Sequence, residues 1–359
     1  MKSLAAILVQ TGCPLELVDL DIPALKAGQV LVEVTTSGVC HTQVLEARGY
    51  RGEDRFLPHC LGHEGVGIVR DLGSDITKVK QGDRVILSWL KGSGADMPGT
   101  TYQWSQGAGG VRTVNAGGVT TFSELSVVSE NRLTILPPGV PLNQAPLLGC
   151  AIPTGVGAVL NAAAAKPGNS IAIFGCGGVG LCAVAGAKAA KCQPIIAIDI
   201  NPAKLALAKQ LGATHTIDSG KHPVFEAIAE ICRSGVDYSI EATGRPDVMR
   251  QALQSVRARG GTAVVIGNAR FGEKLEIDPQ QLNQGKRLLG TWGGDSEPDR
   301  DMVRFGELMR TGELDLSPLL ASADSPHRYR LPDINKALAD LESGSCVRPM
   351  IEIGSGEKK

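Results

Sequence analysis

The sequence predicts an α/β protein in which a β-rich part is followed by a doubly wound parallel sheet. Up to about residue 151, short β-branched runs such as QVLVEVT and DRVILSW alternate with Gly, Pro and Asp, which is typical of a β-rich domain. Beyond it, continuous apolar runs such as NSIAIFG alternate with helical segments such as NPAKLALAKQLG. This second pattern predicts parallel strands that are covered by helices on both faces.

Length and composition limit the possible classes of protein. A chain of 359 residues exceeds the roughly 100–200 residues of one domain, so we expect two domains. The formal net charge of −1 predicts neither a nucleic acid nor a membrane surface as a partner. The chain shows no export signal and no run of roughly 18–20 apolar residues, so we expect a cytoplasmic protein with nine reduced cysteines.

A glycine-rich loop follows the first strand of the second part. In FGCGGVG, residues 174–180, Gly175, Gly177 and Gly180 form a G-x-G-x-x-G pattern between a predicted strand and a predicted helix. Such a loop turns tightly, lets the backbone approach a pyrophosphate and presents helix N–H groups to it. The other positions of the loop are Cys176, which we expect to be a small buried filler, Gly178 and Val179.

Asp199 ends the next predicted strand, in the run IDI that closes with Ile200. A carboxylate at this point of a dinucleotide-binding unit can accept hydrogen bonds from the ribose hydroxyls. It would also repel a 2′-phosphate, because both groups are negative. The sequence therefore predicts that the dinucleotide is NAD.

Soft metal ligands are concentrated in GVCHTQVLEARGYRGEDRFLPHCLGHEGVG, residues 38–67. Zinc prefers thiolate and imidazole ligands, and a catalytic zinc takes three of them. The residues alone leave two pairings open. Cys60 and His63 could form a short chelate, or Cys40 and His63 could bind together with a third ligand from elsewhere in the chain.

The motifs GVCHT, GHEGVG and LLGCAIPTGVGAV, in this order and followed by FGCGGVG, resemble those of the zinc-dependent medium-chain alcohol dehydrogenases. The resemblance covers nearly the whole chain. It implies a GroES-like catalytic domain of residues 1–151 and 294–359 and a Rossmann NAD-binding domain of residues 152–293. The implied activity is zinc-dependent hydride transfer between NAD and a primary or secondary alcohol, or its aldehyde or ketone. The implied assembly is a homodimer or homotetramer.

The resemblance also implies roles for particular residues. The zinc ligands would be Cys40, His63 and Cys150, and Glu64 would approach the metal transiently. Thr42 would accept the proton of the substrate hydroxyl. We expect Cys60 to serve packing and His59 to be a loop histidine. The cofactor contacts implied beyond the glycine loop and Asp199 are His41 and Arg348 at the pyrophosphate, Thr154 and Val179 at the nicotinamide, Lys204 at the ribose, Ile200 and Arg245.

Three departures from the family pattern change what we expect. No cysteine occurs between Cys60 and Cys150, so the four-cysteine lobe that often holds a structural zinc is missing and we predict one zinc per chain. Leu45 stands where some relatives carry a histidine that continues the proton relay. Gln43 replaces an acid that braces the histidine ligand. The Gly-rich segment 91–118 lacks periodicity and predicts a long surface excursion.

The substrate is less well defined than the chemistry. Trp89 matches an aromatic residue of the family's substrate pocket, and we place Trp104 and Trp292 near it, which would suit an aryl or medium-chain primary alcohol. An alternative is a polyol or sugar-derivative dehydrogenase of the same superfamily, against which Cys150 argues. A zinc-free reductase or a non-catalytic protein of the same fold is disfavoured by the intact set of three ligands.

Overall fold

The structure is a computed structural model, and it describes residues 1–320 and 327–354. The described chain forms two units. The first contains Met1–Cys150, Glu297–Gly306 and residues 327–354, and the second contains Ala151–Ser296 and residues 307–320. The prediction assigned all of 294–359 to the first domain. Residues 307–320 belong to the second unit instead, because the short helix Ser317–Leu320 packs against the helix Pro202–Leu211.

The strands and α-helices are numbered along the chain. The strands are β1 Lys2–Leu8, β2 Glu16–Asp21, β3 Gln29–Gly38, β4 His59–Cys60, β5 Glu64–Leu72, β6 Arg84–Ser88, β7 Thr101–Ser105, β8 Val111–Asn115, β9 Leu125–Ser129, β10 Leu133–Ile135, β11 Ile171–Phe174, β12 Ile195–Asp199, β13 His215–Asp218, β14 Tyr238–Glu241, β15 Thr262–Val265, β16 Arg287–Gly290, β17 Arg328–Arg330 and β18 Met350–Glu352. The helices are α1 His41–Ala47, α2 Ala151–Gly157, α3 Gly178–Ala189, α4 Pro202–Leu211, α5 Val224–Ile231, α6 Pro246–Ser255, α7 Pro279–Asn283, α8 Pro298–Thr311, α9 Ser317–Leu320 and α10 Ile334–Ser343.

The first unit combines a closed barrel, in the order β1-β2-β7-β8-β4, with a seven-stranded sheet. The sheet has the order β10-β6-β5-β3-β18-β17, and β9 also pairs with β3. β1 shows why strands of the first unit can be apolar on both faces. Successive side chains of a strand face opposite sides, so Ala5 and Ile7 enter the barrel core while Ala6 and Leu8 enter a second core beside α10.

The Gly-rich segment 91–118 is not the surface excursion that the sequence predicts. It contains β7 and β8, which pair antiparallel and close the barrel, and Tyr102 and Val114 are fully buried in the barrel core. The prediction was wrong because two five-residue strands between glycines are too short to show a clear period. Before β7, the buried Glu130 carboxylate accepts the backbone N–H of Ala95 at 2.9 Å and thereby ties the start of the segment to the unit.

The second unit contains a six-stranded parallel sheet in the order β13-β12-β11-β14-β15-β16. The chain starts this sheet in the middle at β11, runs outwards to β13 and then returns to β14 on the other side. This reversal confirms the predicted doubly wound topology, and it creates the switch point at which such sheets bind ligands. Within residues 1–320 and 327–354, we find no helix with the length and apolar character needed to cross a membrane.

Candidate metal centre and dinucleotide loop

The first unit brings three of the predicted ligands together. Cys40 lies between β3 and α1, His63 directly precedes β5, and Cys150 directly precedes α2. The ligand atoms of the three residues all lie within 4.8 Å of one another, and His63 Nε2 is 3.3 Å from Cys150 Sγ. Ligand atoms around a tetrahedral zinc are about 3.3–3.8 Å apart, so the cluster is close to the spacing that zinc requires. Of the two pairings left open by the sequence, the structure assembles Cys40 with His63.

The electrostatics of the cluster also suit a divalent cation. A hydrogen bond from Cys150 and the neighbouring His63 hold the pKa of the Cys40 thiol well below its usual value, although burial opposes this. The hydrogen bond to Cys40, together with burial, raises the pKa of Cys150 well above its usual value. Two buried thiolates side by side repel each other, whereas a metal cation stabilises both. The donor set of two sulfurs and one imidazole nitrogen is therefore one that fits zinc.

The structure places Glu64 beside this cluster but pairs it with another residue. Glu64 and Arg348 are 0% and 2% exposed, and an Nη2 N–H of Arg348 donates to Glu64 Oε1. Burial raises the pKa of Glu64, and the Arg348 charge opposes that shift. The ion pair is a feature that sequence reasoning missed. The predicted approach of Glu64 to the metal and the predicted contact of Arg348 with a pyrophosphate both stay predictions.

Thr42 and Trp89 border the metal cluster within the first unit. The Thr42 hydroxyl lies 3.7 Å from Cys40 Sγ. The Trp89 ring meets the His63 ring edge-on, with 6.5 Å between the ring centroids. Trp104 packs against the barrel core, where Arg112 lies over its face. Of these two tryptophans, Trp89 contacts a predicted metal ligand and Trp104 contacts the barrel core, and a role of either in a substrate pocket stays a prediction.

Gln43 connects two of the ligands. Its Oε1 accepts the backbone N–H of Cys40 at 2.9 Å, which is a capping interaction at the start of α1. Its Nε2 contacts Nδ1 of His63. Gln43 is 1% exposed, so no water competes freely for these contacts.

Two rival ligands of the same stretch have other contacts. Cys60 lies in the barrel core, where burial raises its pKa to about 12, so the thiol stays protonated. His59 uses both ring nitrogens: Nε2 lies 2.7 Å from Asp54 Oδ2 and Nδ1 lies 3.0 Å from the Cys60 carbonyl. These contacts agree with the expectation that Cys60 serves packing and that His59 belongs to the loop.

The glycine-rich loop of the second unit has room for a pyrophosphate. Gly175 has a φ of +92°, and a Cβ on Gly180 would lie 1.9 Å from the Gly175 carbonyl oxygen, so neither position tolerates a side chain. A Cβ on Gly177, by contrast, would meet no atom within 4 Å. Gly177 caps α3, whose first residues Gly178 and Val179 present free N–H groups. Cys176 is buried, and burial raises the pKa of its thiol, which suits a filler.

Two polar side chains of the second unit bear on cofactor binding, Asp199 and Thr154. Asp199 Oδ2 accepts the N–H of Cys176 at 2.7 Å and Oδ1 accepts the N–H of Asn201 at 2.9 Å, so the carboxylate is fixed against the loop. The buried hydroxyl of Thr154, in α2, has no hydrogen-bond partner among the described residues. An unpartnered buried hydroxyl is costly, and a cofactor could satisfy it. The residues present therefore fit a dinucleotide.

Glu241, at the end of β14, is a second buried acid that sequence reasoning missed. Its Oε1 accepts the N–H of Thr243 at 2.6 Å and the N–H of Gly244 at 3.0 Å, and so it shapes the turn beside Gly175. The available signal was an acidic residue at the end of the apolar strand sequence VDYSIEAT.

The cofactor contacts of the remaining predicted residues stay predictions. Arg245 is exposed and donates two hydrogen bonds, of 3.1 and 3.0 Å, to the carboxylate of Asp247. The other positions are His41 at the start of α1, Ile200 after β12 and Lys204 in α4. Ile200 and Trp292 are 73% and 72% exposed.

Comparisons with known proteins agree with both units. Residues 26–138 match the alcohol dehydrogenase GroES-like domain, and residues 178–307 match the zinc-binding dehydrogenase family. An S-(hydroxymethyl)glutathione dehydrogenase from Synechocystis sp. is 38% identical over 98% of this chain and 100% of its own. The crystal structure of benzyl alcohol dehydrogenase from Acinetobacter calcoaceticus is 31% identical with a TM-score of 0.87, over 99% of this chain and 100% of that one. The crystal structure of an alcohol dehydrogenase zinc-binding domain protein from Burkholderia ambifaria is 32% identical with a TM-score of 0.89, over 99% of this chain and 100% of that one.

The chain belongs to the zinc-dependent medium-chain alcohol dehydrogenase family. It is an oxidoreductase built from a GroES-like domain and a Rossmann domain, and its cluster of Cys40, His63 and Cys150 could hold a metal ion. The family assignment confirms the fold and the class of reaction that the motifs predict, which is the NAD-linked interconversion of alcohols and aldehydes by hydride transfer.

Proposed function

We propose that this chain catalyses the reversible, NAD-dependent oxidation of a primary alcohol to an aldehyde with one zinc ion per chain. The observation that carries the proposal is the convergence of Cys40, His63 and Cys150 in a chain that also holds an open glycine loop beside Asp199. Zinc held by these ligands would lower the pKa of the substrate hydroxyl towards neutrality. The dinucleotide would supply the hydride acceptor.

The residues of the first unit would orient the alcohol and take its proton. Thr42 Oγ1 lies 3.7 Å from Cys40 Sγ and would accept the proton of the substrate hydroxyl. Leu45 is buried and has no atom that could pass this proton on. The proton would therefore leave through water or through His41, which is exposed.

The relatives named above support a primary alcohol as substrate. S-(hydroxymethyl)glutathione and benzyl alcohol, the substrates in their names, both carry the reacting hydroxyl on a CH2 group. Trp89 forms an aromatic wall beside His63, which favours an aryl or medium-chain substituent over a polyol.

As the assembly we propose a homodimer or homotetramer. β16 is the edge strand of the second unit, and its Leu289 is 41% exposed.

A panel of alcohols with NAD tests the proposal directly. We would compare benzyl alcohol, hexan-1-ol, S-(hydroxymethyl)glutathione, butane-2,3-diol and sorbitol, before and after zinc removal by a chelator and after zinc is returned. We expect the CH2OH substrates to be oxidised, the activity to disappear with the metal, and one zinc per chain to restore it. Activity that survives complete zinc removal, or a preference for sorbitol, would contradict the proposal.

The choice of NAD over NADP can be tested at Asp199. In an Asp199→Ser variant we expect kcat/KM with NAD to fall by about 10–100-fold, because hydrogen bonds to a charged group contribute about 1.5–3 kcal/mol. Activity with NADP should rise, because a repelling charge is gone. Asp218→Ser is the matched control, since Asp218 occupies the same register on the neighbouring strand β13. If Asp199→Ser and Asp218→Ser have the same cofactor preference, the ribose assignment is wrong.

A further inference from the structure

Gln43 contacts both His63 and the backbone of Cys40, and its two polar atoms are not equivalent. We propose that Gln43 is a positioning residue whose carboxamide has to turn over when His63 binds a metal, so that the site holds zinc less tightly than it would with a carboxylate there. The inference rests on the zinc site that the proposed function uses. It concerns a property of this chain that follows from its own hydrogen bonds.

The orientation of the carboxamide is set by the backbone of Cys40. A backbone N–H can only donate, so the Gln43 atom at 2.9 Å from Cys40 N has to be the acceptor Oε1. The Nε2 amide, which can only donate, then faces Nδ1 of His63. Nδ1 must therefore offer its lone pair. A neutral imidazole in that state carries its proton on Nε2, the nitrogen that lies 3.3 Å from Cys150 Sγ.

A metal at this cluster requires the opposite arrangement. The ligand atom that His63 offers beside Cys150 is Nε2, and it can bind a metal only through its lone pair. The single proton of the neutral ring then has to lie on Nδ1 and needs an acceptor. Gln43 can provide one by turning over, but its amide group would then face the N–H of Cys40, and two donors would oppose each other. With a metal bound, one of the two hydrogen bonds of Gln43 is therefore lost in either orientation.

A glutamate removes this conflict without changing the size of the side chain. Both of its oxygens accept, so one can take the N–H of Cys40 while the other takes Nδ1–H of His63. The capping interaction at the start of α1 is also preserved, because glutamate suits that position. Groups that orient metal ligands typically change metal affinity by about 10–100-fold. We therefore expect Gln43→Glu to bind zinc about 10–100-fold more tightly than the unmodified chain.

The test uses the full chain and two readouts. The dissociation constant for zinc comes from competition with a coloured chelator, for the unmodified chain, for Gln43→Glu and for Gln29→Glu. Gln29 is a buried glutamine whose Oε1 also accepts a backbone N–H, from Lys26 at 2.9 Å, so Gln29→Glu is the matched control and should leave the affinity unchanged. The tautomer of His63 comes from 15N NMR of histidine-labelled protein, at a pH where the imidazole is neutral.

In the metal-free unmodified chain we expect the proton on Nε2, and after zinc is added we expect it on Nδ1. In metal-free Gln43→Glu the proton should already lie on Nδ1. A merely structural effect would not change the tautomer. The inference is overturned if Gln43→Glu binds zinc no more tightly than the unmodified chain, or if the metal-free tautomers are the same. A chain that binds no zinc in any variant would reject the metal site itself as well.

Discussion

A Cys150→Ala variant is expected to lose its zinc and at least about 10³-fold in kcat/KM, because the metal contributes several kcal/mol to the chemical step. Two protein ligands hold zinc poorly where three are the norm for a catalytic site. Cys150 is 5% exposed, so a water molecule from the solvent cannot easily take the place of its sulfur as a ligand. Elemental analysis of the purified variant and steady-state rates with an alcohol and NAD provide the two measurements.

Cys60→Ala is the control that matches this change. Cys60 is 6% exposed, so its replacement opens a similar small space in the interior, yet its thiol lies in the barrel core. We expect this variant to keep one zinc per chain and to remain active. The reverse outcome, with zinc lost from Cys60→Ala and kept in Cys150→Ala, would show that the short chelate of Cys60 and His63 is the real site.

The second large effect is expected at the buried ion pair. Arg348→Met should lower the free energy of unfolding by about 3–5 kcal/mol, because it leaves the Glu64 carboxylate buried without its partner. Urea unfolding of the zinc-loaded protein, without NAD, would measure this change independently of any role of Arg348 in cofactor binding. A decrease of less than about 1 kcal/mol in the free energy of unfolding would mean that the ion pair does not stabilise the fold.

Two further variants test whether the loss of stability comes from the burial of an unpaired charge. Arg328→Met removes the arginine of an exposed pair, with Glu352, and is expected to cost no more than about 1 kcal/mol because solvent screens that contact. In the double variant Glu64→Gln/Arg348→Met neither side chain is charged. We expect it to recover most of the stability lost in Arg348→Met, since the uncompensated charge rather than the lost contact is the main cost.

Local patterns predicted the second unit well. Strand, glycine loop, helix and Asp199 follow one another within a short stretch, and their order alone specifies how the chain folds there. The first unit was harder. β7 and β8 were missed because short strands between glycines carry little periodic signal, and only their pairing with β2 and β4 shows that they belong to a barrel.

The sequence by itself determined the class of this protein, since the order and spacing of GVCHT, GHEGVG and FGCGGVG identified a zinc-dependent dehydrogenase with a dinucleotide loop. The tertiary structure decided which side chains contact one another across long stretches of chain. It brought Cys150 to His63 and Arg348 to Glu64, and it set the orientation of Gln43 between two ligands. Such contacts leave no trace in spacing, because they depend on how strands far apart in the chain meet in one sheet rather than on a local period.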